Sequence, residues 1–166
     1  MESRKKRIVG ILVLTVLYPI TSLMVRYIPN PMVPDAHIAL NMIFPVLAGF
    51  FYGPMSGATA GCLGTGGAAL LYANPFDAAA TLPHTFMGIL AGFAGRKGIE
   101  FWSALSLLFG HILNLFFFAR LGLITIPGEE IGRVSLGLAA ETAIGVMAVS
   151  LLGALLKRGM FMADRW

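Results

Sequence analysis

Residues 8–27 of the chain read IVGILVLTVLYPITSLMVRY, an almost unbroken apolar stretch of the length that a helix needs to cross a lipid bilayer. The basic run Arg4-Lys5-Lys6-Arg7 precedes it. A signal peptide also begins with basic residues, but its apolar part is shorter and ends at a small-residue cleavage site, which is not found here. The stretch therefore predicts a first membrane-spanning helix.

The composition of the whole chain agrees with this first stretch. Of its 166 residues, 57% are hydrophobic and only 12% are charged, about half the charged fraction of an ordinary soluble domain. The mean hydropathy is +0.81. A large domain outside the membrane does not fit this composition. The single cysteine, Cys62, and three widely separated histidines give no basis for predicting a metal or another cofactor.

Five further apolar runs follow the first one, and proline or glycine marks the ends of most of them. We predict an all-α membrane protein with a single domain over residues 1–166. Its fold is a compact bundle of six transmembrane helices. The predicted helices cover residues 8–27, 36–52, 55–73, 78–95, 99–119 and 131–156.

The distribution of lysine and arginine predicts the orientation of the bundle. With six spans both termini lie on one side, and basic residues favour the cytoplasmic side. If the termini are cytoplasmic, nine basic residues lie inside and three outside. We interpret the basic termini as signals for topology and contacts with lipid, and we predict no nucleic-acid binding. The inner set is Arg4, Lys5, Lys6, Arg7, Arg96, Lys97, Lys157, Arg158 and Arg165, and the outer set is Arg26, Arg120 and Arg133.

Glu141 is the one ionisable acid or base that the predicted spans place well inside the sixth helix. A charge in this position is costly and usually faces the bundle interior or a wet cavity. It indicates either a ligand contact or a glutamate that locks two helices together. We predict that its partners are His111 and Asn114 of the fifth helix, because consecutive helices usually pack together.

Other polar and aromatic residues extend this candidate site. His111 and Asn114 are three residues apart and are neighbours on one helix. Asn41 in the second helix, His84 in the fourth and Phe118 at the end of the fifth add polar and aromatic side chains. Such mixtures line pockets for small organic ligands. The predicted substrate-binding residues are Glu141, Asn114, His111, His84, Asn41 and Phe118.

Glycines recur at helical spacing in the third, fourth and sixth predicted helices, for example at Gly57 and Gly61. Small residues allow helices to approach closely inside a membrane. These stripes indicate either packing within the bundle or docking of a partner helix. We list Gly10, Gly57 and Gly61 as candidate docking positions.

Residues 45–58, PVLAGFFYGPMSGA, followed by Gly61, resemble the region of helices 2 and 3 in the substrate-binding S components of energy-coupling-factor (ECF) vitamin transporters. The chain also resembles these S components in its length and its six predicted spans. The other similar features are residues 82–92, Asn114 and Glu141. The resemblance implies that the chain captures a vitamin or related micronutrient outside a prokaryotic plasma membrane. The partners that it implies are a transmembrane coupling subunit and two ATPase subunits. The family's Ala-x-x-x-Ala docking pattern on helix 1 is not present.

Two other functions compete with this interpretation. The first is a self-sufficient small oligomeric transporter or channel, although the two halves of the chain show no convincing repeat. The second is an intramembrane protease, suggested by Glu129-Glu130 and Arg133 together with the histidines. That protease motif is one residue longer, and no Gly-x-Ser-x-Gly occurs either. We therefore predict that the chain is not an enzyme. Without a Walker motif, ATP hydrolysis falls to the partner subunits.

Overall fold

The computed structural model describes residues 2–32, 37–94 and 99–158. Within these ranges the chain is helical and contains no β-strand, which confirms the all-α class. The helices are α1 (Glu2–Val25), α2 (Ile43–Tyr52), α3 (Pro54–Thr59), α4 (Thr65–Tyr72), α5 (Pro75–Ala94), α6 (Ile99–Arg120) and α7 (Ile131–Arg158).

The predicted third helix is a single rod made of α3 and α4, joined by a π-helical turn over Ala60–Gly64. Such turns insert an extra residue and occur frequently at functional sites.

The predicted second helix differs more from the structure than the third does. We expected it to begin at residue 36, but a 3₁₀ turn begins at Leu40 and the α-helix only at Ile43. Before it, His37 forms an isolated antiparallel bridge with Pro29.

Among the described residues, three helices are long and apolar enough to cross a membrane, and they fall in α1, α6 and α7. At most 33% of the residues in each of these apolar windows are buried, and large apolar side chains such as Leu12 in α1 and Leu151 in α7 are exposed. This pattern is typical of helices that face lipid. It supports a membrane protein.

The interior of the bundle is built around α2 and α5. Every residue of α2 from Ile43 to Gly49 is buried, and α5 packs against α2, α3, α4 and α6. The tight turn between α2 and α3 depends on Gly53, whose φ of 93° is accessible to glycine with little strain. Pro54 then begins α3 at a position where its missing amide hydrogen is not needed.

The glycine stripe of the α3–α4 rod packs inside the chain. A Cβ atom on Gly57 would lie 2.1 Å from the carbonyl oxygen of Gly88 in α5, and one on Gly61 would lie 2.4 Å from that of His84. Gly10 is likewise covered by the Tyr52 side chain. We expected these three glycines to be candidates for partner docking. In the structure they are buried against neighbours within the chain, because only residues without a side chain permit backbones to approach so closely.

Candidate functional site

A polar cavity lies at the end of the bundle away from the basic start of α1. Its walls come from the second half of α1, residues 37–41, the first half of α5 and the end of α6. It encloses about 80 Å³. The polar side chains that line it are Tyr18, Ser22, Arg26, His37, Asn41, Asn74, Asp77, His84 and Asn114.

His84 is at the centre of the hydrogen bonds in this cavity. Its Nδ1 atom lies 2.7 Å from the hydroxyl oxygen of Tyr18 and 3.1 Å from that of Thr65. Its Nε2 atom lies 3.0 Å from Nδ2 of Asn114. All four residues are buried, and they come from α1, α4, α5 and α6. Thr65 is the first residue after the π-helical turn, so the turn lies directly beside this network.

The Asn114 amide determines which ring nitrogen of His84 carries the proton, because a neutral imidazole has one donor and one acceptor nitrogen. In the orientation observed, Nδ2 of Asn114 donates to Nε2, so Nδ1–H donates to Tyr18. Oδ1 of Asn114 is then buried without a hydrogen-bond partner among the described residues, which is uncommon for a buried polar atom. Rotating the amide by 180° lets Oδ1 accept from Nε2–H while Nδ1 accepts from Tyr18.

Asp77 forms a second polar cluster in the same cavity. Its Oδ2 atom accepts hydrogen bonds from the Ser22 hydroxyl and from Nδ2 of Asn74, each 3.0 Å long. Asp77 is in the first turn of α5, where the helix dipole favours a carboxylate. Arg26 is close enough to interact with this carboxylate electrostatically. The cavity therefore holds one acidic and one basic side chain.

The cavity brings four of the six predicted binding residues together: Asn41, His84, Asn114 and Phe118. The side chain of Asn41 is hydrogen-bonded to Tyr18. Phe118 contacts Phe76 edge to face, with ring centroids 5.2 Å apart, and these rings form an apolar part of the wall. The role of these residues in binding stays a prediction.

Glu141 and His111 lie beside this cavity rather than in it. Oε1 of Glu141 accepts a hydrogen bond from the backbone N–H of Ala39 at 3.1 Å, and its side chain is also hydrogen-bonded to Asn30. Oε2 lies 3.8 Å from Nδ1 of His111. Ala39 lines the polar cavity. Glu141 thus fastens part of the cavity wall to α7, and of its two predicted partners the structure supplies His111, whereas Asn114 binds His84.

Sequence reasoning missed Asp77, Tyr18 and Ser22. Asp77 follows Asn74-Pro75 at a loop–helix border, where an acid is usually a solvated helix-start residue. Its bond to Ser22 joins residues 55 positions apart. The usable signal was an acidic residue at the start of an otherwise apolar helix.

The residues that suggested a protease do not form a joint site. Glu130 pairs with Arg133 three residues later on an exposed turn, away from the cavity that holds His84. In the part of the chain that the structure describes, no group of three or more His, Cys, Asp or Glu side chains could hold a metal ion.

No protein-family model, curated protein or solved structure matches the chain. The cavity combines uncharged hydrogen-bonding groups with two phenylalanine rings and one charge of each sign. Such a lining suits a small polar organic molecule with a planar or apolar part.

Proposed function

We propose that the chain is the substrate-binding S component of an ECF-type transporter, which binds a small vitamin-like nutrient and depends on partner subunits for ATP hydrolysis. The observation that carries the proposal is the polar and aromatic cavity around His84, set at one end of a bundle whose outer helices are apolar. The resemblance of residues 45–61 to the S components supports the same function.

In this proposal the chain spans a prokaryotic plasma membrane six times. The helices α1, α6 and α7 are long and apolar enough to cross it. The α3–α4 rod and α5, with exposed apolar side chains such as Leu70 and Phe93, cross beside them around the buried α2. The cytoplasmic termini follow from the excess of basic residues on that side. The cavity then opens to the outside, because it lies at the opposite end of α1 from Arg4.

A ligand of vitamin size requires the cavity to enlarge. About 80 Å³ is well below the roughly 300–1000 Å³ of typical ligand pockets. The wall formed by residues 37–39 is the segment best suited to move, since it is not helical and is fastened by few bonds. Among the described residues, its hydrogen bonds are those from Ile38 N–H to the Ile28 carbonyl, from Ala39 N–H to Glu141 and from Met42 N–H to the Ala39 carbonyl. Binding is therefore coupled to the release or shift of this segment.

The decisive experiment is to purify the chain and identify by mass spectrometry the small molecule that co-purifies with it. The proposal expects one dominant compound of vitamin-like chemistry that raises the melting temperature when added back. His84→Ala should lose the compound, whereas Phe93→Ala, at an exposed position of the same helix outside the cavity, should retain it. Uptake against a gradient should then require co-expressed coupling and ATPase subunits.

Two results would overturn the proposal. If the purified chain alone accumulates the compound in liposomes, the chain is a self-sufficient transporter. If no compound co-purifies and none of a panel of vitamins shifts the melting temperature, the cavity is not a nutrient site.

A further inference from the structure

A second cavity, apolar and separate from the first, lies between α1, α2 and α7. It has a volume of about 120 Å³. On α1 it is lined by Gly10, Val13, Leu14 and Leu17, at the spacing of one helix face. The side chains from α2 and α7 are also apolar apart from the phenol of Tyr52: they are Phe44, Leu47, Tyr52, Leu152 and Leu156.

This apolar groove opens toward the lipid-facing side of the bundle. Both α1 and α7 pack against α2, and both present exposed apolar side chains beside the groove, including Val13. Along α1 the groove extends from Gly10 to Leu17, or about 10 Å at the rise of an α-helix. A partner helix is roughly 10–12 Å wide with its side chains, too broad for this volume. An extended hydrocarbon chain is narrow enough.

One end of the groove is strongly basic. Lys6 and Arg7 precede Gly10 by four and three residues, so they continue the groove face of α1. Nη2 of Arg7 donates a hydrogen bond to the backbone carbonyl of Tyr52 at 2.9 Å, which places the guanidinium where the groove meets the end of α2. A guanidinium carries five N–H donors, so this bond leaves it able to bind a phosphate.

We propose that the groove binds one acyl chain of an anionic phospholipid and that Lys6 and Arg7 hold the phosphate of its headgroup. The apolar walls match the acyl chain, and the paired cations match the negative headgroup. This lipid site is independent of the nutrient site, because it lies at the other end of α1 and shares no lining residue with it.

The test uses the full chain in nanodiscs of equal parts phosphatidylglycerol and phosphatidylcholine with identical acyl chains. Lipids that remain bound after transfer to detergent are counted by native mass spectrometry. We expect one retained lipid, with phosphatidylglycerol preferred. Lys6→Gln should reduce this preference about fivefold, the effect of removing one cation near an anionic lipid. The matched control Lys5→Gln removes the same charge from another face of α1 and should leave the preference unchanged.

A second pair of variants tests the groove itself. Val13→Trp should fill it and abolish retention of both lipids, while Leu12→Trp, on an exposed position outside the groove, should not. Melting temperatures confirm that the variants are folded. Each of three results would overturn the proposal. The unmodified chain could retain the two lipids equally, the two lysine variants could have equal effects, or Val13→Trp could retain the lipid in full.

Discussion

Nε2 of His84 and Nδ2 of Asn114 lie 3.0 Å apart although 30 positions separate the two residues in the chain. The contact joins α5 to α6, and the bond from His84 to Tyr18 extends it to α1. With Thr65 of α4, which also contacts Nδ1 of His84, four helices meet in one buried network of polar side chains. The shape of the cavity and the stability of the bundle are therefore coupled through His84.

Replacement of His84 by alanine should weaken both the fold and ligand binding. The variant leaves the hydroxyls of Tyr18 and Thr65 and the amide of Asn114 without their shared partner. We expect a loss of unfolding free energy of about 2 kcal/mol or more, since each unpaired buried polar group costs about 1–3 kcal/mol. Thermal unfolding in detergent measures this loss. Phe93→Ala, at an exposed position of the same helix, is the control and should melt like the unmodified chain; equal melting of His84→Ala would contradict the network.

Glu141→Gln should change stability more than ligand affinity. Glutamine keeps an oxygen that accepts from Ala39, but it loses the charge that strengthens the bond. We expect a cost of about 1 kcal/mol in unfolding free energy. Ligand affinity should rise by less than about fivefold, because the weaker bond lets residues 37–39 shift more easily when the ligand binds. If Glu141 instead contacts the ligand directly, as one interpretation of the sequence has it, the variant should lose ligand affinity and keep its stability. A tenfold loss of affinity with unchanged melting temperature would restore that interpretation.

Gly57→Ala should severely destabilise the protein. The added Cβ would meet the carbonyl oxygen of Gly88 at 2.1 Å, and two packed backbones would have to separate. We expect a loss of about 4 kcal/mol or more, or no folded protein. Gly67→Ala is the matched control, because a Cβ at Gly67 in α4 has nothing within 4 Å. That variant should be neutral or stabilised by up to about 1 kcal/mol. Similar expression and melting of the two variants would contradict the packing.

The proposed topology predicts which loops face outward. Cys62 is exposed, so labelling is best done in a Cys62→Ala background. A cysteine at Gly128, which is exposed before α7, should react with a membrane-impermeant maleimide in intact cells. A cysteine at Met55, exposed near the turn after α2, should react only after the cells are opened. Labelling of position 55 alone in intact cells would invert the orientation.

The helical elements could be predicted because their signals are local. Long apolar runs and the prolines and glycines between them marked six helical segments, and the structure has helices in all six positions. The second one begins later than predicted: its 3₁₀ turn starts at Leu40, and Ala39 before it donates its N–H to Glu141, a residue 102 positions away. A local pattern carries no information about such a bond.

The same distinction applies to the candidate site. Polar residues in apolar helices were recognisable one by one, and Asn41, His84, Asn114 and Phe118 do share a cavity. The sequence alone did not show that Glu141 lies outside that cavity or that Asp77 lines it. Both facts depend on how α7 and α1 are rotated against their neighbours.

The sequence by itself determined the all-helical class, the membrane-like composition and the approximate place of each helix, because hydrophobicity, proline and glycine act over a few residues. Only the tertiary structure decided which polar groups meet. The approach of α3 to α5 at Gly57 and Gly88, and the π-helical turn before Thr65, set the depth and rotation of the helices. Hydrogen bonds act over about 3 Å. Small differences in the depth and rotation of the helices therefore determine that His84, rather than Glu141, is the centre of the cavity.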